Sequence, residues 1–312
     1  MELRQLRSFV HIAELGSFSL AAERLHIVQP ALTRQMQSLE TELGVRLFVR
    51  HGRGVMLTPQ GEALSLRAIA ILREVEQVRA DLRTDGNFLS GEISFGMPPT
   101  VAEVLSGALI EKFAQHHPLV KLKVVSAYSG HVLDWLQKGV LDLAVLYDNK
   151  SLPLIRSRAL ITEELMLIEN GPAAEPRQPI PFAAAATLKL VLPSPAHGLR
   201  QLIDTMGARH GVSINPAVET DSLPVQIDLV KRGFAATILP LAPVFEEVAT
   251  GRLSVRAIIE PALSRTLLLA TPADRPQKAA SRVFADMIVA EVCELADSGR
   301  WRGRILEHGQ GG

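Results

Sequence analysis

Ten residues near the start of the chain, HIVQPALTRQ from His26 to Gln35, concentrate hydrogen-bonding side chains: Gln29, Thr33, Arg34 and Gln35, with Pro30 among them. An amide can pair with adenine through two hydrogen bonds and a guanidinium with guanine, while hydroxyl and guanidinium groups also reach phosphates. The same residues could instead form a solvated polar face that reads nothing. Arg46, Arg50 and Arg53 follow within eight positions and add positive charge.

A second set of polar residues follows apolar, strand-like runs. Thr100 comes after EISFGM, Ser129 lies in YSGH after VKLKVV, and Tyr147 ends LDLAVLY. Ser194 and His197 lie in PSPAHGLR, and Asp221 follows VET. In open α/β sheets ligands sit beyond the carboxyl ends of strands, where free N–H groups at helix starts hold anions. Thr100, placed before its helix, offers a hydroxyl and an N–H for a carboxylate. Plain capping is the alternative for Thr100 and Asp221, and burial for Tyr147.

Reaction chemistry has no comparable support. The chain has no HExxH, GxSxG, Walker-A or post-strand GxGxxG pattern, so the expectation is no enzyme, no catalytic residue and no bound cofactor. His116 and His117 are neighbours, about 100° apart on a helix, and make poor joint metal ligands. Asp142, at the start of LDLA, reads as structural. Cys293 is the single cysteine, which excludes an intrachain disulfide and a thiolate metal cage.

Several elements must position these groups. The chain has 312 residues, enough for two or three compact units. It is 47% hydrophobic and 21% charged, an ordinary globular composition. The charged, amphipathic N-terminus does not read as a secretory signal and no apolar run is long enough to span a bilayer, so a cytoplasmic, non-membrane protein is expected. Formal net charge is zero, but residues 1–60 hold seven Arg against five acidic residues. A basic module on a neutral body suits local contact with DNA.

Leu3, Leu6, Phe9, Val10 and Ala13 recur at helical spacing up to Gly16. Ser19 is expected to cap a second helix with a small-residue face at Ala21 and Ala22. Pro30 fits the first position of a third helix, in which Leu32, Met36, Leu39 and Leu43 face inward and Gly44 is the stop. RLFVR and VMLT read as two strands joined by the turn HGRG, with Arg53 at its tip. Two crossing helices followed by an Arg-tipped hairpin form a winged helix-turn-helix, whose second helix enters the major groove.

The run SFSLAAERLHIVQPALTRQMQSLETELGVRLFVRHGRGVMLTPQG resembles the DNA-binding module of the LysR-type transcriptional regulators, nearly without gaps. The resemblance implies that Gln29, Pro30, Thr33, Arg34 and Gln35 occupy recognition-helix positions and that Arg53 occupies the wing tip; Arg50, in the same basic block, is expected in the DNA-binding set. Thr33 stands where the family often has Ser. Double-stranded promoter DNA is the implied partner, with RNA polymerase contact as a further consequence.

Thr58 is expected to cap a long helix with Leu64, Ala68, Ile71, Val75, Val78 and Leu82 spaced 4, 3, 4, 3 and 4, a heptad seam. The seam could face another chain or its own domain; the family resemblance implies pairing of two DNA-binding domains, and a homotetramer through the effector domains. Leu66 and Leu72 lie off the seam and could pack on the wing. The segment DGNFLSG reads as a hinge.

Alternating strand and helix patterns from Glu92 onward argue for an α/β fold with parallel strands covered by helices. The fold class expected is therefore α/β: a winged helix-turn-helix, a linker helix and a periplasmic-binding-protein-like effector domain of two α/β subdomains. The expected boundaries are 1–58, 59–90 and 91–312, with subdomains 91–162 plus 267–297 and 163–266. By resemblance the cleft between them takes a small, anionic effector, and Thr100 matches a position that effectors often use. GMPPTVAEVLSG and DLAVLYD are similar to the nitrogen-assimilation-control branch, some members of which need no coinducer. Two alternatives stay open: an effector-independent regulator, and a small-molecule-binding protein whose N-terminal module only dimerises. The tail from Ser298 has no functional reading.

Overall fold

Burial of Leu6, Phe9 and Ile12 along one stripe explains the first helix of the computed structural model, which describes residues 1–51, 54–83, 89–148, 154–172 and 178–306. Helix α1 (Leu3–Leu15) ends at Gly16, whose φ of +59° is the left-handed C-cap conformation. Helix α2 (Phe18–Arg24) is capped by Ser17 rather than Ser19, the Ser17 Oγ accepting from the Leu20 N–H at 3.4 Å. Ser19 points elsewhere and donates to Gln29 Oε1 at 3.3 Å. Helix α3 (Gln29–Leu43) begins one residue earlier than expected, so Pro30 takes the second helical position; Val28 is the N-cap and supplies no side-chain bond. Leu32, Met36 and Leu39 are buried against α1 and α2. Each such side chain removed from water contributes roughly 1.5–3 kcal/mol.

Strands β1 (Phe48–His51) and β2 (Gly54–Leu57) form the antiparallel wing. Glu40 fixes its start by accepting from the N–H groups of Leu47 and Phe48 at 2.7 and 3.3 Å. Gly54 has φ +144°, and a Cβ there would lie 2.4 Å from the Gly16 carbonyl oxygen, so only glycine fits. Helix α4 (Pro59–Arg83) starts as expected: Thr58 Oγ1 accepts from Gly61 N–H at 2.9 Å and donates to the Arg46 carbonyl at 2.7 Å.

The heptad seam of α4 divides into two parts. Ala68 has no exposed surface and belongs to the core of the winged module, with Leu64 and Leu72 packed against it. Ala68 is therefore not a residue that faces a partner chain, because α1 already covers it. Ile71 and Val78 are 38% and 50% exposed, and Val75 is half-buried. The Leu82 side chain lies outside the described residues.

The second module opens with β3 (Gly91–Met97), α5 (Pro99–His116), β4 (Val120–Ser126), α6 (Ser129–Gln137) and β5 (Leu143–Tyr147). Strands β4, β3 and β5 are parallel neighbours. Asp142 is structural: its carboxylate accepts from Ser94 N–H at 2.8 Å and pairs with Lys278 at 2.9 Å. The chain continues through the long β6 (Ile155–Asn170), β7 (Ile180–Pro181), α7 (Phe182–Ala186), β8 (Val191–Leu192), α8 (Gly198–His210), β9 (Val218–Glu219), α9 (Leu223–Lys231) and β10 (Thr237–Leu239). A 3-10 turn (Ala242–Val244), α10 (Phe245–Ala249), β11 (Leu253–Ile259), β12 (Leu263–Pro272), α11 (Ala279–Asp297) and β13 (Gly303–Ile305) complete it.

These strands build a nine-stranded mixed sheet in the order β4-β3-β5-β12-β6-β11-β7, with β10 and β13 also paired to β6. Strands β6 and β12 run antiparallel through both halves of the module. Leu160, Ile161 and Leu267 lie in the core with Phe95, Phe113 and Phe284, whereas Leu165, Leu167 and Leu263 lie in the core with Phe182 and Ile238. The chain thus crosses between two cores after Ile161 and again before Leu267. Trp301, 1% exposed, joins the first core together with α11 and Ile305, so the chain beyond Asp297 is part of that packing.

Candidate nucleic-acid interface and ligand cleft

Capping and packing leave the N-terminal half of α3 outward-facing. Gln29, Pro30 and Arg34 are exposed and Thr33 is half-buried. Arg34 Nε donates to the Pro30 carbonyl one turn earlier at 3.4 Å, a weak bond on the exposed face. Gln35 behaves differently from its expected role. Its amide nitrogen donates to Ser8 Oγ at 2.8 Å, and its oxygen accepts from Arg4 Nε and Nη2 at 2.8 Å each. With Ser8 buried, Gln35 ties α3 to α1 and does not project toward a groove. Arg53 and the side chain of Arg50 lie outside the described residues.

The expected cleft residues gather around a polar cluster on the paired strands β6 and β12. Arg265 on β12 and Glu163 on β6 are direct cross-strand neighbours, and Nε donates to Oε1 at 2.7 Å. The other Glu163 oxygen accepts from the Trp301 indole N–H at 2.7 Å. Both carboxylate oxygens are therefore satisfied at a position only 1% exposed, as a buried charge requires. Arg265 Nη2 reaches Tyr147 Oη at 2.7 Å and Thr100 Oγ1 at 3.2 Å. The guanidinium carbon also lies 3.5 Å from the Tyr147 ring centroid, a cation–π contact. Burial pushes the Tyr147 hydroxyl well above its ordinary range, so it stays protonated.

Thr100 lies within the first turn of α5 rather than before it, and its hydroxyl is 3.0 Å from that of Tyr147. Ser129, in the first turn of α6, accepts from the Tyr147 N–H at 3.3 Å. On the opposite side, His197 caps α8: its Nδ1 accepts from Leu199 N–H at 3.1 Å, which leaves the ring proton on Nε2. Burial, followed by the nearby Arg265 charge, pushes the His197 pKa down to about 4, so the ring is neutral at pH 7. Arg200 holds this loop by donating to the Pro193 carbonyl at 3.2 Å and to Glu219 at 2.7 Å.

Asp221 neither caps α9 nor offers a free carboxylate. Its two oxygens accept from the Ser194 N–H and hydroxyl, both at 2.9 Å, locking two loops of the second half together. Its backbone carbonyl accepts from the Tyr128 hydroxyl, and the Tyr128 ring meets His197 edge-on at 4.5 Å. Tyr128 thus spans from the first half to the second. The structure accordingly brings Thr100, Tyr147 and Ser129 together on one side, with His197, Ser194 and Asp221 opposite.

Comparison with known proteins decides the affiliation. A model of the bacterial regulatory helix-turn-helix protein of the lysR family matches residues 3–62, and one of the LysR substrate binding domain matches residues 86–293. The chain belongs to the LysR family. This LysR-type transcriptional regulator is 31% identical over 300 residues to the HTH-type transcriptional regulator BbuR of Bordetella bronchiseptica, covering 96% of this chain and 92% of that protein. It is 33% identical over 241 residues to the nitrogen assimilation regulatory protein nac of Klebsiella aerogenes, covering 77% and 78%. A full-length OxyR from Pseudomonas aeruginosa superposes with a TM-score of 0.71 at 27% identity, covering 92% and 94%. The winged module, the α/β effector domain and the similarity to nitrogen-assimilation regulators agree with the reading of the sequence.

The buried network of Arg265, Glu163 and Trp301 beside these residues escaped that reading. The available signal was a charged residue at the head of the otherwise apolar run SRTLLLA. No helix among the described residues is long and apolar enough to cross a membrane.

Proposed function

We propose that this LysR-type regulator is a cytoplasmic homo-oligomer that binds near-palindromic double-stranded DNA through Gln29, Pro30, Thr33 and Arg34, and responds to a small anion held in its cleft. Residues 1–58 form the DNA-binding unit, 59–90 the linker, and 91–312 the effector unit. The observation that carries the effector reading is the convergence of Arg265, Thr100 and Tyr147 where β6 and β12 cross. The Arg265 guanidinium, its charge balanced by Glu163, and the two hydroxyls together supply hydrogen-bond donors that suit a carboxylate or similar group. A ligand there touches residues of both halves, and its preference for one closure of the cleft is what shifts the equilibrium. Exposed Ile71 and Val78 on α4 support pairing of two linker helices, with effector units joining pairs into a tetramer. Two-fold protein symmetry matches a two-fold site, and altered spacing between pairs would change DNA bending and polymerase contact.

Thermal shift and titration calorimetry with a panel of small mono- and dicarboxylates test this reading. A saturable response that Arg265→Gln abolishes supports it. A second reading, regulation without an effector, is favoured by the Tyr128–Asp221 contact, by which the protein's own groups bridge the cleft. A flat response across the panel selects that version.

A further inference from the structure

Val28 combines two unfavourable features at the end of α3. It is the N-cap, where Ser, Thr, Asp or Asn would accept a bond from the helix, and it supplies no side-chain bond. It is also 69% exposed, the most exposed large apolar side chain among the described residues. Neither feature helps the fold: the carbonyl accepts from the Ala31 and Leu32 N–H groups as any residue's would, but the side chain caps nothing and packs against little. Its backbone is ordinary, with φ −77° and ψ 138°, so the position does not demand valine for conformational reasons.

The neighbours give the position its meaning. Val28 precedes Gln29, which is exposed and oriented by Ser19 through a 3.3 Å bond. Pro30 and Arg34 continue the same outward surface. In a helix-turn-helix this end of the recognition helix meets base edges in the major groove. The apolar feature of that groove is the C5-methyl of thymine, which aliphatic side chains contact.

We propose that Val28 is a specificity-determining residue that reads a thymine methyl beside the base pair addressed by Gln29. The proposal rests on DNA reading by α3. Contact with the methyl would cover the exposed isopropyl group and explain an apolar residue where a polar cap would suit the helix better.

The test removes the methyl from the DNA and the isopropyl group from the protein. Preferred sites are enriched from a random duplex library with the full-length protein, and each thymine of the best site is replaced singly by deoxyuridine. Affinities are measured for wild type, Val28→Ser and Val28→Ala. At one thymine position per half-site, uridine should weaken wild type about fourfold, the worth of one buried methyl. Val28→Ser should be indifferent to that replacement and Val28→Ala, which keeps one methyl, less sensitive than wild type, both still discriminating at the Gln29 position. Val28→Ser should melt no lower than wild type, since serine is the better cap. Equal losses for wild type and variants at every thymine would overturn the proposal with DNA reading intact. Failure to enrich any sequence would overturn DNA reading as well.

Discussion

Arg265 and Glu163 stand 102 residues apart in the chain yet face each other across the two strands that join the halves of the effector domain, 2.7 Å from nitrogen to oxygen. Their side chains are 7% and 1% exposed. The pair therefore fixes both the charge presented to the cleft and the register of the crossing. Removing one partner strands the other in the interior, so Arg265→Met should lower stability by about 3–5 kcal/mol in denaturant unfolding. Adding Glu163→Gln should recover much of that loss without restoring a ligand response. Equal stability of the single and double variants would show that the pair is not coupled.

Thr100→Val removes a hydroxyl that bonds both Tyr147 and Arg265. The expected outcome is loss of carboxylate response in calorimetry with the DNA footprint retained. Loss of the footprint would assign Thr100 to the fold instead.

His197 sets a pH window. Its folded pKa, about 4, lies below the ordinary 6.5, so between these values the unfolded chain binds a proton that the native state does not. That contribution is present above about pH 6.5 and is lost as pH falls toward 4. Tm of wild type should consequently fall more steeply than that of His197→Gln across this window. Parallel profiles would remove the imidazole from the account.

Ala68 and Val78 separate packing from assembly. Ala68→Leu overfills the winged core and should cost about 1–3 kcal/mol with oligomeric state unchanged at equal concentration. Val78→Asp, on the exposed stretch of α4, should instead shift sedimentation toward smaller species at little cost in monomer stability. Reversed effects would place the interchain seam elsewhere.

Much of the architecture was legible from local pattern. Helical spacing, Gly16 and Gly44 as stops, and Thr58 as a cap are properties of short stretches. Gln35 was misread because a polar residue on a mainly polar helix face carries no sign that Ser8 and Arg4 hold it. Ala68 was misread for a related reason: a heptad position does not say whether the helix it faces belongs to the same chain. Arg265, Glu163 and Trp301 are joined only by the antiparallel register of β6 and β12 and by the return of the chain after α11. Such pairings are set by tertiary topology, so no local period announces them. Asp221 was read as a cleft residue, with capping as the alternative, while its oxygens are claimed by Ser194, 27 residues earlier.

A DNase I footprint on the DNA beside the protein's own gene, comparing wild type with Arg34→Ala, tests the central claim most directly. Wild type should protect an extended region with a hypersensitive step that marks a bend. Arg34→Ala should lose roughly 1–3 kcal/mol at this site and less on unrelated sequence. No protection by wild type at any concentration that spares competitor DNA, or an equal loss on every sequence, would contradict sequence-specific reading by α3.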